Sequence, residues 1–327
     1  MNTKKKRAVL LVNLGSPASP EPASIRKFLG QFLSDRRVVE IPALIWQPLL
    51  RCVILPLRSK RVAHLYRSIW TAEGSPLAAI TIKQAALLQD SLHESGEKYT
   101  VVRYAMTYGH PSIEDVVGDL REQGFEKILL IPMYPQYSGT TTGAIYDQVA
   151  DLYHKYRHVP DLHVVREYCY RNDYIRALAA SVIDHRQAHG AADKLVFSFH
   201  GIPQACVEKG DPYFEQCKYT AQAVAECLGL SSAEWELCFQ SRFGKAQWLQ
   251  PYTDDVLQRL AQEGIRRVDI ICPAFVADCL ETLEEIEVGS RECFTRAGGE
   301  YFARIACLND RKDHIRMLRS IVEEMDF

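Results

Sequence analysis

Short, largely apolar runs recur along the chain, and each is soon followed by a glycine or a proline. The clearest runs cover residues 9–12, 128–131, 195–199 and 268–272. Runs of this length and composition are typical of buried strands in a parallel sheet. The segments before the second and fourth runs have helical spacing and end at Gly124 and Gly264, which predicts a helix with a glycine cap before each strand.

The chain contains an internal repeat. Residues 108–116 match residues 248–256, each position lying 140 residues further on, and the same offset relates Gly124 to Gly264. Residues 9–17 match residues 195–203, since both are apolar strands that run into Gly-x-Pro. Alternating strands and helices predict parallel sheets, so two similar halves predict an α/β protein with two doubly wound domains. We place these domains at residues 1–160 and 161–327.

The first half is longer than the second by about 46 residues between its matched blocks, as the two offsets show. This excess contains a segment, residues 41–58, that is dense in large apolar residues and interrupted by prolines. We therefore predict an apolar insertion, covering about residues 31–73, that is grafted onto the first of two similar domains.

Composition narrows the classes of function. Of the 327 residues, 47% are hydrophobic and 24% charged, and the net charge of -2 argues against a nucleic-acid scaffold. The ten cysteines include no Cys-x-x-Cys pair, and the first apolar run is too short for a signal-peptide core. We therefore expect a cytoplasmic protein with reduced cysteines. No stretch reaches about 18 uninterrupted apolar residues, so we expect no transmembrane helix. Glycine-rich phosphate-binding motifs are missing, so neither ATP nor NAD is expected.

Ligands of doubly wound domains bind beyond the carboxyl ends of the strands, so the loops at 13–17, 133–142, 200–203 and 273–281 are candidate sites. His200 follows a predicted strand, where an imidazole can accept a proton or bind a metal. The alternative is a histidine that merely satisfies loop carbonyls. The matched residue in the first half is Leu14, so the fold itself does not require a histidine there.

Acidic residues cluster after the last predicted strand. Glu281 and Glu285 are four residues apart and share a helix face, and Asp278 precedes that helix. Carboxylates in a row suit a hard cation or proton transfer, whereas the alternative is a solvated acidic face with an ordinary cap. Arg242 and Lys245 could meet carboxylates of a ligand.

Aromatic residues fall on the same loops, which suits a large, flat, apolar ligand, although domain-interface packing is the alternative. They are Tyr108, Tyr134, Tyr137, Trp248 and Phe275.

Several segments, in this order along the chain, resemble the ferrochelatase family in its Gram-negative bacterial form. They include Asn-Leu-Gly-Ser-Pro at 13–17, Gly-Ser-Pro-Leu at 74–77, Pro-Gln-Tyr-Ser at 135–138, Ser-Phe-His-Gly-Ile-Pro at 198–203, Gln-Ser-Arg-Phe-Gly at 240–244, Trp-Leu-Gln-Pro-Tyr-Thr at 248–253, Cys-Pro-Ala-Phe at 272–275 and Asp-Cys-Leu-Glu-Thr-Leu-Glu-Glu at 278–285. The resemblance implies an enzyme, a lyase that inserts Fe²⁺ into protoporphyrin IX to form protohaem in the final step of haem biosynthesis.

The resemblance also implies a chelatase-like fold of two Rossmann-like domains with a porphyrin cleft between them. It implies that His200 and Glu281 are catalytic, and that the metal is handled by His200, Glu281, Glu285 and Asp278. Together with the aromatic pattern it predicts porphyrin contacts from Leu14, Tyr108, Tyr137, Trp248 and Phe275. The apolar insertion resembles a membrane-touching lip, in which we expect Trp46, Leu49, Leu50, Ile54 and Leu55.

Some positions depart from the family pattern. Cys279 stands where some members have a second histidine, and Thr107 where some have an arginine. Gly139 stands where cluster-bearing members have a cysteine, so no iron–sulfur cluster or other resident cofactor is expected, and Fe²⁺ is a substrate. The expected partners are protoporphyrin IX, Fe²⁺ and, peripherally, the inner membrane. The alternatives are a chelatase for another metal and tetrapyrrole, a non-catalytic porphyrin or haem carrier, and a two-domain periplasmic-type binding protein.

Overall fold

Two four-stranded parallel sheets form the framework in a computed structural model of the chain, which describes residues 6–97, 99–244, 246–325 and 327. Lys245, named above as a carboxylate partner, lies outside the described residues. The chain divides into two compact units. Unit 1 comprises the described residues of Met1–Tyr134, Gly139–Arg166 and Asp310–Phe327, and unit 2 comprises Pro135–Ser138 and the described residues of Glu167–Asn309.

The sheet of unit 1 has the strand order β2-β1-β3-β4. Its strands are β1 (Arg7–Asn13), β2 (Thr100–Met106), β3 (Lys127–Pro132) and β4 (Asp161–Val164). Strand β1 lies between β2 and β3, with Arg7 opposite Thr100 on one side and Lys127 on the other. Because helices cover both faces of such a sheet, the central strands are apolar along nearly their whole length.

The sheet of unit 2 repeats this arrangement with the order β6-β5-β7-β8. Its strands are β5 (Lys194–His200), β6 (Trp235–Gln240), β7 (Arg267–Ile271) and β8 (Tyr301–Arg304). In both sheets the first strand of the unit is central and every pairing is parallel. The prediction of an α/β fold with two similar parallel sheets is therefore confirmed.

Helices connect the strands. Those of unit 1 are α1 (Pro22–Phe32), α2 (Ala43–Leu49), a π-helical turn (Leu50–Ile54), α3 (Leu55–Ile69), α4 (Pro76–Glu94), α5 (Ile113–Glu122) and α6 (Thr142–Lys155). Those that follow are α7 (Asn172–His189), α8 (Gln204–Glu208), α9 (Tyr213–Cys227), α10 (Thr253–Gln262), the π-helix (Glu281–Ser290), α11 (Arg291–Arg296) and α12 (Lys312–Glu324). No helix among the described residues is both long enough and apolar enough to cross a bilayer.

The repeat explains the matched helices α5 and α10. Each packs an apolar face onto its sheet, in the core of unit 1 and of unit 2 respectively. Each is followed by a glycine with positive φ, Gly124 at +79° and Gly264 at +93°, a conformation that favours glycine and ends the helix. At the start of α5, Ser112 and Asp115 form a reciprocal capping box.

The division of the chain differs from the predicted ranges 1–160 and 161–327 in its last helix. Helix α12 belongs to unit 1 because its apolar face packs against α4. Polar contacts support this packing: Arg319 donates to Ser91 across 3.3 Å, and Lys83 pairs with Asp310 at 2.5 Å. Residues 161–166 also belong to unit 1, and residues 135–138 belong to unit 2.

Helices α7 and α12 are a second pair of matched elements, since they begin 140 residues apart. Each begins at an Arg-x-Asp segment whose two side chains form a two-point ion pair, Arg171 with Asp173 and Arg311 with Asp313. Helix α7 follows the sheet of unit 1 but packs with α9 in unit 2, whereas α12 follows the sheet of unit 2 and packs in unit 1. The units thus exchange their final helices.

Candidate active site

His200 is the last residue of β5, where the strand opens into a loop at the carboxyl edge of the sheet. Its Nδ1 atom lies 2.7 Å from the carbonyl oxygen of Gly201. Donation from Nδ1 to this carbonyl leaves Nε2 as the ring nitrogen that can accept a proton or a metal. The imidazole is half-buried, and its centroid lies 6.5 Å from that of the Trp248 ring and 6.2 Å from that of the Phe275 ring.

Gly201 allows this close packing. A Cβ atom at this position would lie 2.9 Å from the carbonyl oxygen of Gln240 and 3.2 Å from the Trp248 ring. Since the backbone nitrogen of Gly201 donates to the same Gln240 carbonyl at 2.8 Å, the loop after β5 is held tightly against the end of β6. The orientation of His200 is therefore set by backbone contacts on both sides.

The acidic segment after β7 forms a π-helix of ten residues, Glu281–Ser290. Long π-helices are rare, and π-helical geometry is frequent at functional sites. Glu285 is largely buried and accepts a hydrogen bond from the Ser241 hydroxyl at 2.5 Å. Burial raises the pKa of Glu285, while the Ser241 hydrogen bond and the charge of His200 act in the opposite direction and that of Glu281 adds to the rise. The charges of His200 and Glu281 both act on Glu285, so the three side chains lie near one another.

Asp278 lies in a separate network. Its Oδ1 accepts hydrogen bonds from Arg304 at 2.7 Å and Thr282 at 2.9 Å, and its Oδ2 accepts one from Asn309 at 2.7 Å. The carboxylate is buried, so these donors replace water around it. Asp278 therefore fixes the start of the π-helix against the segment that follows β8. Its service as a metal ligand stays a prediction.

Cys279, the residue in the place of a second histidine, is buried beside Glu281. Burial, the charge of Glu281 and a hydrogen bond to it raise the pKa of this thiol well above its ordinary value. Cys279 is thus a neutral thiol at physiological pH. Within the described part of the chain, no three His, Cys, Asp or Glu side chains form a ready-made metal site. The roles of His200, Glu281 and Glu285 toward iron remain predictions.

The predicted porphyrin contacts fall into two sets. Trp248 and Phe275 lie beside His200, and the Trp248 indole is anchored by donating to the Phe243 carbonyl at 2.8 Å. Tyr137 is also in unit 2, where its backbone nitrogen donates to Gln216 at 2.7 Å. The structure thus joins Trp248 and Phe275 to the site through ring contacts.

Leu14 and Tyr108 form the second set, in unit 1. The backbone nitrogen of Tyr108 donates to the Leu14 carbonyl at 2.9 Å, and the Tyr108 hydroxyl donates to Asp35 at 2.7 Å. Burial, and then the Asp35 carboxylate, raise the pKa of Tyr108 far above its ordinary value. Tyr108 is largely buried, so its hydroxyl serves the packing of unit 1 rather than projecting outward. A porphyrin contact by either residue stays a prediction.

The apolar insertion differs from the prediction in which side chains face outward. Trp46, Leu50 and Leu55 are buried in a small cluster with Leu33, and the Trp46 indole donates to the Leu33 carbonyl at 2.6 Å. Ile54 is half-buried against that cluster. Of the five predicted lip residues, Leu49 is the exposed one.

Other apolar residues form the exposed face of the insertion. Leu44 is 93% exposed, Leu57 71% and Ile45 65%, and Val53 is exposed beside them in sequence. These residues lie on α2, the π-helical turn and α3, where the prolines obscure the helical period in the sequence. Trp46, Leu50 and Leu55 therefore stabilise the insertion from inside, and its exposed apolar face includes Leu44, Ile45, Leu49, Val53 and Leu57.

Three residues that contact the predicted site residues were not predicted to do so from the sequence: Gln240, Ser241 and Arg304. Gln240 and Ser241 occur in one of the segments that carry the family resemblance, which indicates that they lie near the site. The sequence does not indicate which residues their side chains contact. Arg304 ends a short edge strand without an apolar run. Its only sequence signal is a charged residue in an otherwise strand-like stretch.

Comparison with known proteins gives the family. A sequence model described as Ferrochelatase matches residues 6–326. Ferrochelatase 1 of Shewanella oneidensis is 49% identical over 316 residues, covering 97% of this chain and 95% of that protein. The ferrochelatase of Aeromonas hydrophila is 48% identical, covering 97% of this chain and 98% of that protein, and that of Janthinobacterium sp. is 52% identical, covering 97% and 86%.

Solved structures support the fold. SirB from Bacillus subtilis with Fe³⁺ superposes with a TM-score of 0.56 at 14% identity, covering 98% of this chain and 95% of that one. CbiX, described as the terminal enzyme of sirohaem biosynthesis in denitrifying bacteria, superposes with a TM-score of 0.52 at 13% identity, covering 98% and 100%. At these identities the likeness concerns the fold, which is that of chelatases. With the full-length family match and close relatives of nearly equal length, this chain belongs to the ferrochelatase family.

Proposed function

We propose that this protein inserts Fe²⁺ into protoporphyrin IX to form protohaem. The reaction replaces two pyrrole N–H protons by one metal ion, so it releases two protons for each iron inserted. The observation that carries the proposal is the grouping of His200, Glu281 and Glu285 beside two aromatic rings, in a chain of this family. Such a site offers a base, a carboxylate row and an apolar surface for a macrocycle.

His200 is the group nearest to the aromatic rings, so it meets the face of the macrocycle. With Nδ1 directed to the Gly201 carbonyl, Nε2 accepts a pyrrole proton or holds iron at the ring. Trp248 and Phe275 bind the macrocycle faces, and this binding energy can hold the ring in a bent form that exposes a nitrogen lone pair.

The carboxylates remove protons from the reacting centre. Glu285 is suited to this step because burial raises its pKa toward the pH range in which it can both accept and release a proton. The Ser241 hydrogen bond and the charge of His200 act against this rise in the pKa of Glu285 but do not reverse it. Glu281 lies between Cys279 and Glu285 and continues the row.

The decisive experiment is anaerobic. Purified protein is mixed with protoporphyrin IX and Fe²⁺, and the loss of porphyrin fluorescence and the gain of haem absorbance are followed. His200→Ala should lower turnover by about 10²-fold or more, as expected for loss of a general base. His154→Ala, at an exposed histidine of α6, is the matched control and should leave turnover unchanged. Stoichiometric porphyrin binding without turnover, equal in all three proteins, would instead support the porphyrin carrier.

The exposed face of the insertion contacts a membrane surface, from which the apolar porphyrin is taken up. Leu57 lies on α3, which also carries Lys60, while Leu44 and Ile45 lie on α2, which runs into the π-helical turn that carries Arg51. Exposed apolar residues close to basic ones are typical of helices that lie in a lipid interface. The bound protein would sit peripherally on the inner membrane.

Liposome co-sedimentation tests this contact. Replacing both Leu44 and Leu57 by serine should weaken binding to anionic liposomes by about a hundredfold or more, because each leucine contributes roughly 1.5–3 kcal/mol when it leaves water. Ile82→Ser, at an exposed apolar residue of α4, is the control. Equal binding of the double variant and the control would refute the membrane contact.

Turnover requires no resident cofactor and no iron–sulfur cluster. The support is Gly139, which cannot supply a thiolate where cluster-bearing members have a cysteine. Iron and acid-labile sulfide are measured in protein that has been freed of metal by chelation and then assayed. Full turnover without sulfide is expected, and turnover that scales with bound sulfide would contradict the proposal.

A further inference from the structure

Gln240 is a buried amide at the end of β6, the strand that pairs with the strand of His200. Buried amides need partners for both ends, because an unsatisfied donor or acceptor in the interior is costly. Here the two ends of the side chain contact different elements of unit 2. The amide nitrogen donates to the Glu281 carbonyl at 3.3 Å, and the amide oxygen accepts from the Ser198 hydroxyl at 2.9 Å.

Each contact leads to a predicted site residue. Ser198 lies two residues before His200 on β5, and its hydroxyl also bonds to Thr253, the first residue of α10, at 2.8 Å. Glu281 is the first residue of the π-helix. The side chain of Gln240 therefore spans the space between the strand that carries His200 and the helical turn that carries Glu281.

The backbone around Gln240 strengthens this connection. Its carbonyl oxygen accepts from the Gly201 nitrogen at 2.8 Å, directly after His200. The next residue, Ser241, has a positive φ of +67°, which is uncommon for a serine. In this conformation the Ser241 hydroxyl reaches Glu285 at 2.5 Å. Two successive residues thus contact two of the glutamates of the π-helix, Gln240 at the Glu281 carbonyl and Ser241 at the Glu285 carboxylate.

We infer that Gln240 is a positioning residue that fixes the separation of His200 and the Glu281 turn through the Nε2 bond to the Glu281 carbonyl. The inference rests on the proposed function, since it assigns a role in the same reaction. Gln240 touches neither His200 nor the Glu281 carboxylate with its side chain, so it acts on geometry rather than on the reacting atoms. Small displacements of catalytic groups lower rates strongly, which makes such a residue kinetically visible.

The test compares wild type with Gln240→Met, which keeps the length of the side chain and removes its hydrogen bonds to Ser198 and to the Glu281 carbonyl, together with the weaker one from Cys272. The measured quantities are kcat, KM for Fe²⁺ and the dissociation constant of protoporphyrin IX without metal, from anaerobic fluorescence. We expect kcat to fall by about tenfold or more, as for a displaced catalytic group, while porphyrin affinity stays at the wild-type value. A purely structural amide would lower stability and leave kcat unchanged.

Two further variants separate position from stability. Gln84→Met makes the same change at a buried glutamine of α4 in unit 1 and should reduce thermal stability without lowering kcat. Ser198→Ala removes one partner but keeps the bond to Glu281, so its loss of kcat should be smaller than that of Gln240→Met. If Gln240→Met fails to fold, Gln240→Asn keeps the test decisive, because it retains an amide that is one methylene too short to reach both Ser198 and the Glu281 carbonyl. A wild-type kcat in folded Gln240→Asn would then reduce Gln240 to a structural residue.

The outcomes separate a failure of the proposed function from a failure of the positioning role of Gln240. Wild-type protein without turnover would refute the proposed function. An active wild type with an unchanged kcat in Gln240→Met would overturn the positioning role and leave the proposed function standing. A fall in kcat at constant porphyrin affinity, absent from Gln84→Met, would establish it.

Discussion

Asp278→Ala tests whether the buried carboxylate holds the start of the π-helix in place. The side chains of Asp278 and Arg304 are 9% and 10% exposed and lie 2.7 Å apart. Burial, the largest single cause, would lower the pKa of Arg304, but the charge of Asp278 together with smaller contributions from its other neighbours, among them Glu287, makes the net shift upward. Removing the carboxylate would therefore leave a buried guanidinium without its main partner, and would also remove one hydrogen bond from each of Asn309 and Thr282.

The expected loss follows from these contacts. Breaking a buried ion pair from one side costs about 3–5 kcal/mol, because the remaining charge is desolvated and unpaired. Glu287 lies 3.3 Å from the Arg304 Nε and keeps part of the compensation, which places the loss near the lower end, at about 3 kcal/mol. The free energy of unfolding is measured by urea denaturation, followed by circular dichroism.

A double-mutant cycle isolates the pair. Asp278→Ala combined with Arg304→Met removes both charges, so the double variant should be more stable than Asp278→Ala by about 1–3 kcal/mol. A loss below about 1 kcal/mol in Asp278→Ala, or strictly additive losses in the double variant, would refute the reasoning. Either result would mean that water reaches Arg304 once the carboxylate is gone.

Three further predictions concern single residues. Gly15→Ala should destabilise the protein to urea by at least about 2 kcal/mol, since φ is +102° and a Cβ would lie 1.8 Å from the Tyr108 carbonyl; a smaller loss would mean that the loop shifts freely. In the same assay Trp46→Ala should lower the free energy of unfolding by about 3–5 kcal/mol, whereas Leu44→Ser should change it by no more than about 0.5 kcal/mol. Equal losses of stability would contradict the assignment of Trp46 to the buried face and Leu44 to the exposed face. Glu285→Gln should become more stable relative to wild type as the pH rises above 4.5, the ordinary pKa of a glutamate, because the raised folded-state pKa means that folding penalises the ionised carboxylate. The free energies of unfolding of both proteins are measured by urea denaturation between pH 4 and 8. A difference between them that does not depend on pH would contradict the shift.

The central strands could be predicted because strands buried on both faces are apolar along their length. Edge strands could not, since β4 has an exposed first residue and no buried position. The membership of α12 was also hidden. Its amphipathic pattern and the Arg311–Asp313 pair predict a helix and its start, but no local feature states that the apolar face packs against α4, more than 200 residues earlier.

In the site, too, the sequence predicted which residues lie near one another better than it predicted their individual contacts. His200, Glu281 and Glu285 could be brought together from sequence because β5 and β7 are neighbours whose carboxyl ends share one edge. Asp278 could not be separated from them, because it lies in a loop without a repeating side-chain direction. In the insertion, the π-helical turn Leu50–Ile54 adds a residue to the helical repeat and shifts the buried face. That shift puts Leu50 and Leu55 inside.

The exchange of final helices affects how the protein can fold during synthesis. The four strands of unit 1 have all been synthesised once residue 166 is made, but the helix that covers α4 is encoded at 312–324. At about 5–20 residues per second, translation of the intervening chain takes on the order of 10 s. During that interval the apolar face of α4 has no native covering. The nascent N-terminal half is therefore the stage most exposed to aggregation and most in need of a chaperone, and an early stop before α12 would damage the first unit rather than the last.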